Sequence, residues 1–346
     1  MYARMYTAQA SWYREGTGMK ECRWKRLLLV ILAGMLTFGG CAGKDSTDTI
    51  AGGPSVTAEE SAAQTVTAAA ESFAETAAAS LDQVSEDGLR YEYRSKNLVM
   101  SVYCDEWDKL DKSKNGYQNA TEFLQEAAGY FNEIAGLTGK SEEYSEYKNV
   151  NITFLFVDSV SFTAVLSAAG DEFEAEIHLN AGYFKYGAAP VAHELTHAIC
   201  PSGPSRSLEE GLPSYMQDVV AGKPAPHNYG LNVDILCATL LFAPDADEKI
   251  SEVFKLTGEV RSSFDDPVYR NAAYNFAGSF AHYIIEKYGM DSYMTLYSAV
   301  NPSEIYREVT GKTLEELHED WKSHLRKYEG AMSAEEIDEA ISELFQ

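Results

Sequence analysis

Cysteine is scarce in this 346-residue chain, with only five, and none is spaced as in a zinc finger. Two of them, Cys22 and Cys41, fall near the N-terminus, leaving Cys104, Cys200 and Cys237. Three cysteines permit at most one intramolecular disulfide; Cys200 with Cys237 is a conceivable pair that nothing in the sequence demands. Basic residues are also in short supply, 28 Lys+Arg against 53 Asp+Glu. Residues 1–40 hold six of the basic and two of the acidic side chains, so without them the counts are 22 and 51, a net charge near −29. Such a body repels phosphate backbones and anionic headgroups, and nucleic acid is not an expected partner. The chain has no glycine-rich phosphate loop and no G-x-S-x-G elbow, which removes the usual signatures of nucleotide binding and of serine hydrolysis. No internal repeat is visible.

The N-terminal region has the pattern of an export signal. Lys20, Arg23, Lys25 and Arg26 precede the apolar run Leu27–Leu36, too short to span a bilayer but suited to secretion. Small residues then lead to Cys41. This arrangement resembles a bacterial lipoprotein signal, which implies a start at Met19, lipid on Cys41 and a membrane-anchored protein facing away from the cytoplasm. From Ala42 to about Glu86 the sequence is rich in Ala, Ser, Thr, Gly and Glu, with Phe73 its lone aromatic. It cannot bury enough apolar surface to order itself and reads as a tether.

The strongest motif is His193-Glu194-Leu195-Thr196-His197, an H-E-x-x-H set. Residues four apart on a helix share one face, so both imidazoles can grip one metal ion from a single turn. Glu194, one step round, is placed to act as general base on a water without binding the metal. Pro190 suits the first turn of such a helix, Val191, Leu195 and Ile199 make a buried stripe, and Cys200-Pro201-Ser202-Gly203-Pro204 ends it.

A catalytic zinc needs about three protein ligands and an open position. Twelve residues separate His197 from Glu210, whose neighbour Glu209 is a second carboxylate; spacing alone does not choose between them. Ser207 and Glu210 also fit a capping box. That reading puts Pro213 inside a helix, where its ring clashes with an earlier carbonyl, and is weakened for that reason. Downstream, Tyr274–Tyr288 followed by Gly289 reads as an amphipathic helix.

The H-E-x-x-H helix followed by Glu210-Gly211-Leu212 resembles the gluzincin branch of the zincin metallopeptidases. The resemblance implies that Glu210, not Glu209, is the third zinc ligand beside His193 and His197, with one Zn2+ bound. It also implies a tyrosine near the start of the downstream helix that helps hold the oxyanion: Tyr274, with Tyr269 the alternative and His282 more remote. The His197–Glu210 spacing is shorter than in thermolysin-like and aminopeptidase-like members. A G-x-M-E-N-like strand for a free amino terminus is missing, which favours an endopeptidase over an aminopeptidase.

Glu172–Asn180 alternates, with Phe173, Ala175, Ile177 and Leu179 on one face and Glu174, Glu176, His178 and Asn180 on the other. His178 is read as a solvent-face residue and not a ligand. In the family such a strand is the cleft rim and pairs with substrate, making Asn180 and Ala181 candidate backbone contacts. Strands are also expected at Leu98–Cys104, Val150–Phe156 and Ser161–Leu166, with a helix over Tyr117–Ile134 and helices throughout from Ser207. Strands first and helices later predict an α+β fold, a small N-terminal sheet with an edge strand and then a mostly helical lobe, which the resemblance implies is zincin/thermolysin-like. The expected layout is a signal region at 1–40, a lipidated tether at 41–88, a metallopeptidase domain at 89–330 and a C-terminal helix at 331–346. The expected partners are a peptide or protein substrate and, through the lipid, the membrane. The alternative is a catalytically silent lipoprotein that binds a partner or cell-wall component.

Overall fold

The computed structural model describes residues 83–345, apart from short internal stretches at 143–146, 158, 168–171, 202, 204, 244–247, 260–263, 265 and 267–268. The expected signal region, Cys41 and nearly all of the expected tether lie outside the described residues.

Six strands form one mixed sheet: β1 (Gln83–Val84), β2 (Arg90–Arg94), β3 (Leu98–Tyr103), β4 (Tyr147–Leu155), β5 (Phe162–Ser167) and β6 (Glu172–Asn180). Their order is β1-β2-β3-β4-β6-β5. The first three are joined antiparallel, β3–β4 and β4–β6 run parallel, and β5 returns antiparallel along β6. Parallel neighbours need a crossover. Between β3 and β4 it is made by α1 (Cys104–Lys109) and α2 (Ala120–Leu137). Helix α2 begins at Ala120, not Tyr117, because the Asn119 side chain accepts from the Glu122 N–H at 2.9 Å and caps it there. Leu98, Met100 and Val102, then Val150, Ile152 and Phe154, then Phe173, Ala175, Ile177 and Leu179, are buried in the core.

Two expectations about the sheet change. Strand β6 is not the edge: it lies between β4 and β5, and β5 carries the open edge. Alternation reports one polar and one apolar face but says nothing about in-plane neighbours, which explains the error. The sheet also begins at Gln83, inside the expected tether.

After β6 come α3 (Ala181–Lys185) and the H-E-x-x-H helix α4 (Val191–Ile199), then α5 (Arg206–Met216), which runs into a π-helical turn at Gln217–Ala221. The helical remainder comprises α6 (Val233–Phe242), α7 (Glu248–Lys255), α8 (Arg270–Tyr288), α9 (Met290–Ser298), α10 (Pro302–Thr310), α11 (Leu314–Leu325) and α12 (Ala334–Leu344). The described part is thus mixed α+β, with a mostly helical C-terminal portion. Helix α12 is part of the core: Ile337 and Ile341 are buried, and Phe345 meets the rings of Tyr186 and Tyr229. Cys200 and Cys237 are both buried and are not joined in a disulfide.

Helices α5 and α8 cross at closest approach through glycine. A Cβ on Gly211 would stand 2.6 Å from the Ala277 carbonyl oxygen and 2.8 Å from the Tyr293 hydroxyl. Gly278 on α8 returns the fit, 3.1 Å from Ser214 Cβ. The Glu-Gly step therefore has a packing cause: Gly211 lets α8 press against α5 directly behind Glu210.

Candidate metal centre

Helix α4 presents His193 and His197 one turn apart, and the backbone N–H of His193 is held by the Gln217 side chain, whose Oε1 accepts it at 3.2 Å. Helix α5 starts at Arg206, with Ser205 as its cap, and continues through Pro213. The capping-box objection built on Pro213 thus rested on a wrong premise, since the proline does sit inside the helix. Its conclusion about Glu210 is unaffected, because the capping side chain is Ser205 and not Ser207.

Glu210 points inward. Its Oε2 lies 3.4 Å from His193 Nε2 and 3.4 Å from His197 Nε2. A donor atom from each of the three residues lies within 4.8 Å of the others. A small divalent ion with nitrogen and oxygen ligands at ~2.0–2.1 Å places tetrahedral ligand atoms roughly 3.4 Å apart. The Glu210–histidine edges match that value, and the group can hold a metal ion. Two further observations fit a cation here: Glu210 Oε2 and His193 Nδ1 are buried and make no hydrogen bond. Buried polar atoms without partners need an explanation, and a metal removes the first of these.

The other Glu210 oxygen is paired with Arg206 one turn earlier, and Arg206 also reaches Glu209 at 3.2 Å. That settles which carboxylate belongs to the group: Glu210 faces the histidines and Glu209 is tied to Arg206. Burial opposes the Glu210 charge, yet His197, His193 and Arg206 hold its carboxyl well below the ordinary range. His197 is penalised by burial too, but Glu210 and Glu194 raise it above a free imidazole.

Glu194 is buried, and burial pushes its carboxyl up against the pull of His193, His197 and Thr163. The Thr163 hydroxyl on β5 lies 3.0 Å from Glu194 Oε2 and 2.8 Å from the Glu194 carbonyl oxygen. This ties the carboxylate to the open edge of the sheet. Tyr274, on the first turns of α8, is half-buried with its ring centroid 6.5 Å from that of His193 and its edge against Phe264. Burial, followed by Glu210, raises its phenol, so the hydroxyl keeps its proton.

The remaining expected residues lie elsewhere. Tyr269 is the residue that precedes α8. His282 Nε2 is 3.1 Å from Asp218, with the ring against Tyr215 and apart from the metal group. His178 stacks on Phe162 at 4.2 Å. Asn180 is occupied as a cap: Oδ1 accepts from the Gly182 N–H at 2.7 Å, Nδ2 donates to the Ser159 carbonyl at 2.5 Å, and the backbone N–H donates to Ser161 Oγ. Ala181 opens α3. Neither stands on the free edge.

Four participants were not foreseen: Thr163, Arg206, Gln217 and His227. Arg206 was accessible from its four-residue helical spacing to Glu210; the others arrive from separate elements and leave no local signal. His227 lies beside His193, rings 5.7 Å apart, and burial lowers its pKa to about 4.

Comparison with protein-family models, curated proteins and solved structures finds nothing that matches this chain.

Proposed function

We propose that this chain is a zinc-dependent peptidase of the gluzincin type, carried on the outer side of a bacterial membrane by a lipid on Cys41. The observation that carries the reading is one juxtaposition. Two histidines and a glutamate converge, with Glu210 Oε2 3.4 Å from each imidazole nitrogen, and a separate buried carboxylate, Glu194, accepts a hydrogen bond from Thr163 on strand β5. A purely structural ion needs no such carboxylate.

His193, His197 and Glu210 would hold the zinc. When bound, it supplies a Lewis acid and draws the pKa of a water down toward about 7. Glu194 takes a proton from the attacking water and returns it to the leaving amine nitrogen. Tyr274 keeps its proton and donates a hydrogen bond to the developing oxyanion. An extended peptide adds to β5, whose outer edge has no strand beside it among the described residues. The endopeptidase reading rests on the absence of an amino-terminus recognition strand in the sequence.

The test is zinc content and cleavage of a mixed peptide library by the purified chain and its Glu194→Gln variant. The expected result is one zinc per chain in both, with hydrolysis lowered at least ~10³-fold in the variant. A wild-type chain that holds zinc and cuts no peptide would make this a metal-binding lipoprotein without protease activity. A chain that takes up no zinc would overturn the reading altogether.

A further inference from the structure

Beside the metal group lies a second buried, unpartnered nitrogen. His193 Nδ1 has no hydrogen-bond partner, and neither does His227 Nε2. Both side chains are buried, and their ring centroids are 5.7 Å apart with planes inclined at 35°. A ring nitrogen sits about 1.1 Å from its centroid, so nitrogens lying on the line between the two centroids would stand ~3.5 Å apart, a separation that a small turn of either ring closes to a hydrogen bond.

We infer that His227 is a positioning residue for His193: its Nε2 accepts the Nδ1 proton of His193 and so fixes Nε2 of His193 as the metal-binding atom. A metal-bound histidine almost always donates through its other ring nitrogen, and this bond sets both tautomer and ring orientation. Carboxylates or backbone carbonyls usually accept. In this chain the neighbouring buried acceptor is an imidazole.

The turn that carries His227 is built to hold it still. The Tyr229 N–H donates to the Ala225 carbonyl at 2.7 Å, and Asn228 Oδ1 accepts from Gly230 at 3.1 Å. Asn228 Nδ2 donates to Asp218 Oδ1 at 2.6 Å, clamping the turn to the π-helical segment. Tyr229 is the one non-glycine residue of positive φ among the described residues, at 55°. Bulky side chains rarely adopt that conformation, and such strain persists only where the surroundings impose it. Here Phe345 of the C-terminal segment packs on the Tyr229 ring. The π-helical turn thus acts on His193 from two sides. Gln217 holds its backbone N–H directly, and Asp218, through Asn228, holds the partner of its ring. π-Turns recur at functional sites for this kind of re-aiming.

The inference rests on the metal reading of His193, so the experiment separates the two. Zinc affinity is measured by chelator competition for the wild-type chain, His227→Phe and His227→Gln. In parallel, ring-nitrogen NMR of the metal-free wild type reports whether His193 Nδ1 is protonated and hydrogen-bonded to an unprotonated His227 Nε2. Loss of the outer partner is expected to raise the zinc Kd about 10–100-fold in His227→Phe, with one zinc still bound at saturation. His227→Gln, whose amide oxygen can accept, is expected to recover most of that loss. An unchanged Kd in His227→Phe overturns the inference and leaves the metal reading standing. Wild-type protein that takes no zinc overturns both. If His227→Phe does not fold, His227→Gln and the NMR signature decide: a His227 Nε2 that carries a proton overturns the inference.

Discussion

Two of the places where the interior buries polar groups treat them differently. Around α11 they are paired. Trp321 Nε1 donates to Ser279 Oγ at 2.9 Å, and Ser279 in turn donates to Asp234 at 2.6 Å. His318 Nε2 donates to the Thr257 carbonyl at 2.7 Å, and Tyr306 to the Gly258 carbonyl at 3.0 Å. Around α4 the opposite holds, with Glu210 Oε2, His193 Nδ1 and His227 Nε2 left without partners. His178 Nδ1, Asn275 Oδ1, Tyr288 Oη and Asp338 Oδ1 are also buried without partners, but around α4 the three unpartnered atoms belong to residues that face one another. A buried carboxylate oxygen facing two imidazoles at 3.4 Å is an arrangement that a cation would complete.

The comparison sharpens most if metal is supplied. Zinc at about a thousand times its Kd is expected to stabilise the wild-type chain by about 4 kcal/mol, roughly 10 °C in Tm. Glu210→Gln is expected to lose that response, which a thermal scan with and without zinc reads directly. A comparable rise in both proteins would place the ion elsewhere.

A second test strikes the seam between the two regions. Gly211→Ala forces a methyl group to within 2.6 Å of the Ala277 carbonyl oxygen. The expected cost is about 3 kcal/mol by denaturant titration, because backbone and not a flexible side chain must yield. Zinc affinity should fall with it, since the same helix carries Glu210.

In the paired region the effects are smaller. Tyr306→Phe removes the donor to the Gly258 carbonyl and should cost about 1 kcal/mol, with zinc affinity unchanged. A loss of zinc binding there would dissolve the distinction between the regions. The smallest expected effect is one of pH. Burial lowers the His318 pKa below that of a free imidazole. The folded state therefore prefers neutral His318, and its contribution is complete above about pH 6.5 and declines as the pH falls below that. The drop in Tm on acidification should be shallower in His318→Gln than in the wild type.

Much of this was legible from the chain. His193, Glu194 and His197 declare themselves because one helical turn contains the whole pattern. The alternation of β6 is as clear, and Phe173, Ala175, Ile177 and Leu179 are buried as it requires. Legibility ends where the information is not local. Strand order depends on which element arrives beside β6, and Thr163 and Ile177 meet only because β5 folds back. The choice of Glu210 over Glu209 depends on the direction α5 faces, set by Gly211 against α8 and by Arg206. His227 comes from a turn with no periodicity, placed through Asp218. The proline rule also misled, because Pro213 is accommodated within α5.

The open edge of β5 has a consequence for the molecule in bulk. At the far end of the sheet β1 is two residues long, a blunt end that offers little to pair with. Strand β5 is six residues, and exposed Phe162 and Leu166 lie on it, with exposed Phe156, Val157 and Val160 just before it. Such an edge is a template for a second copy of itself, and natural proteins usually blunt theirs. This one stays open and is defended at longer range, by a formal net charge of −25 that keeps identical molecules apart. That defence weakens with ionic strength, as the screening length shrinks from ~10 Å at 0.1 M to ~3 Å at 1 M. Self-association through this edge is therefore expected to rise with salt.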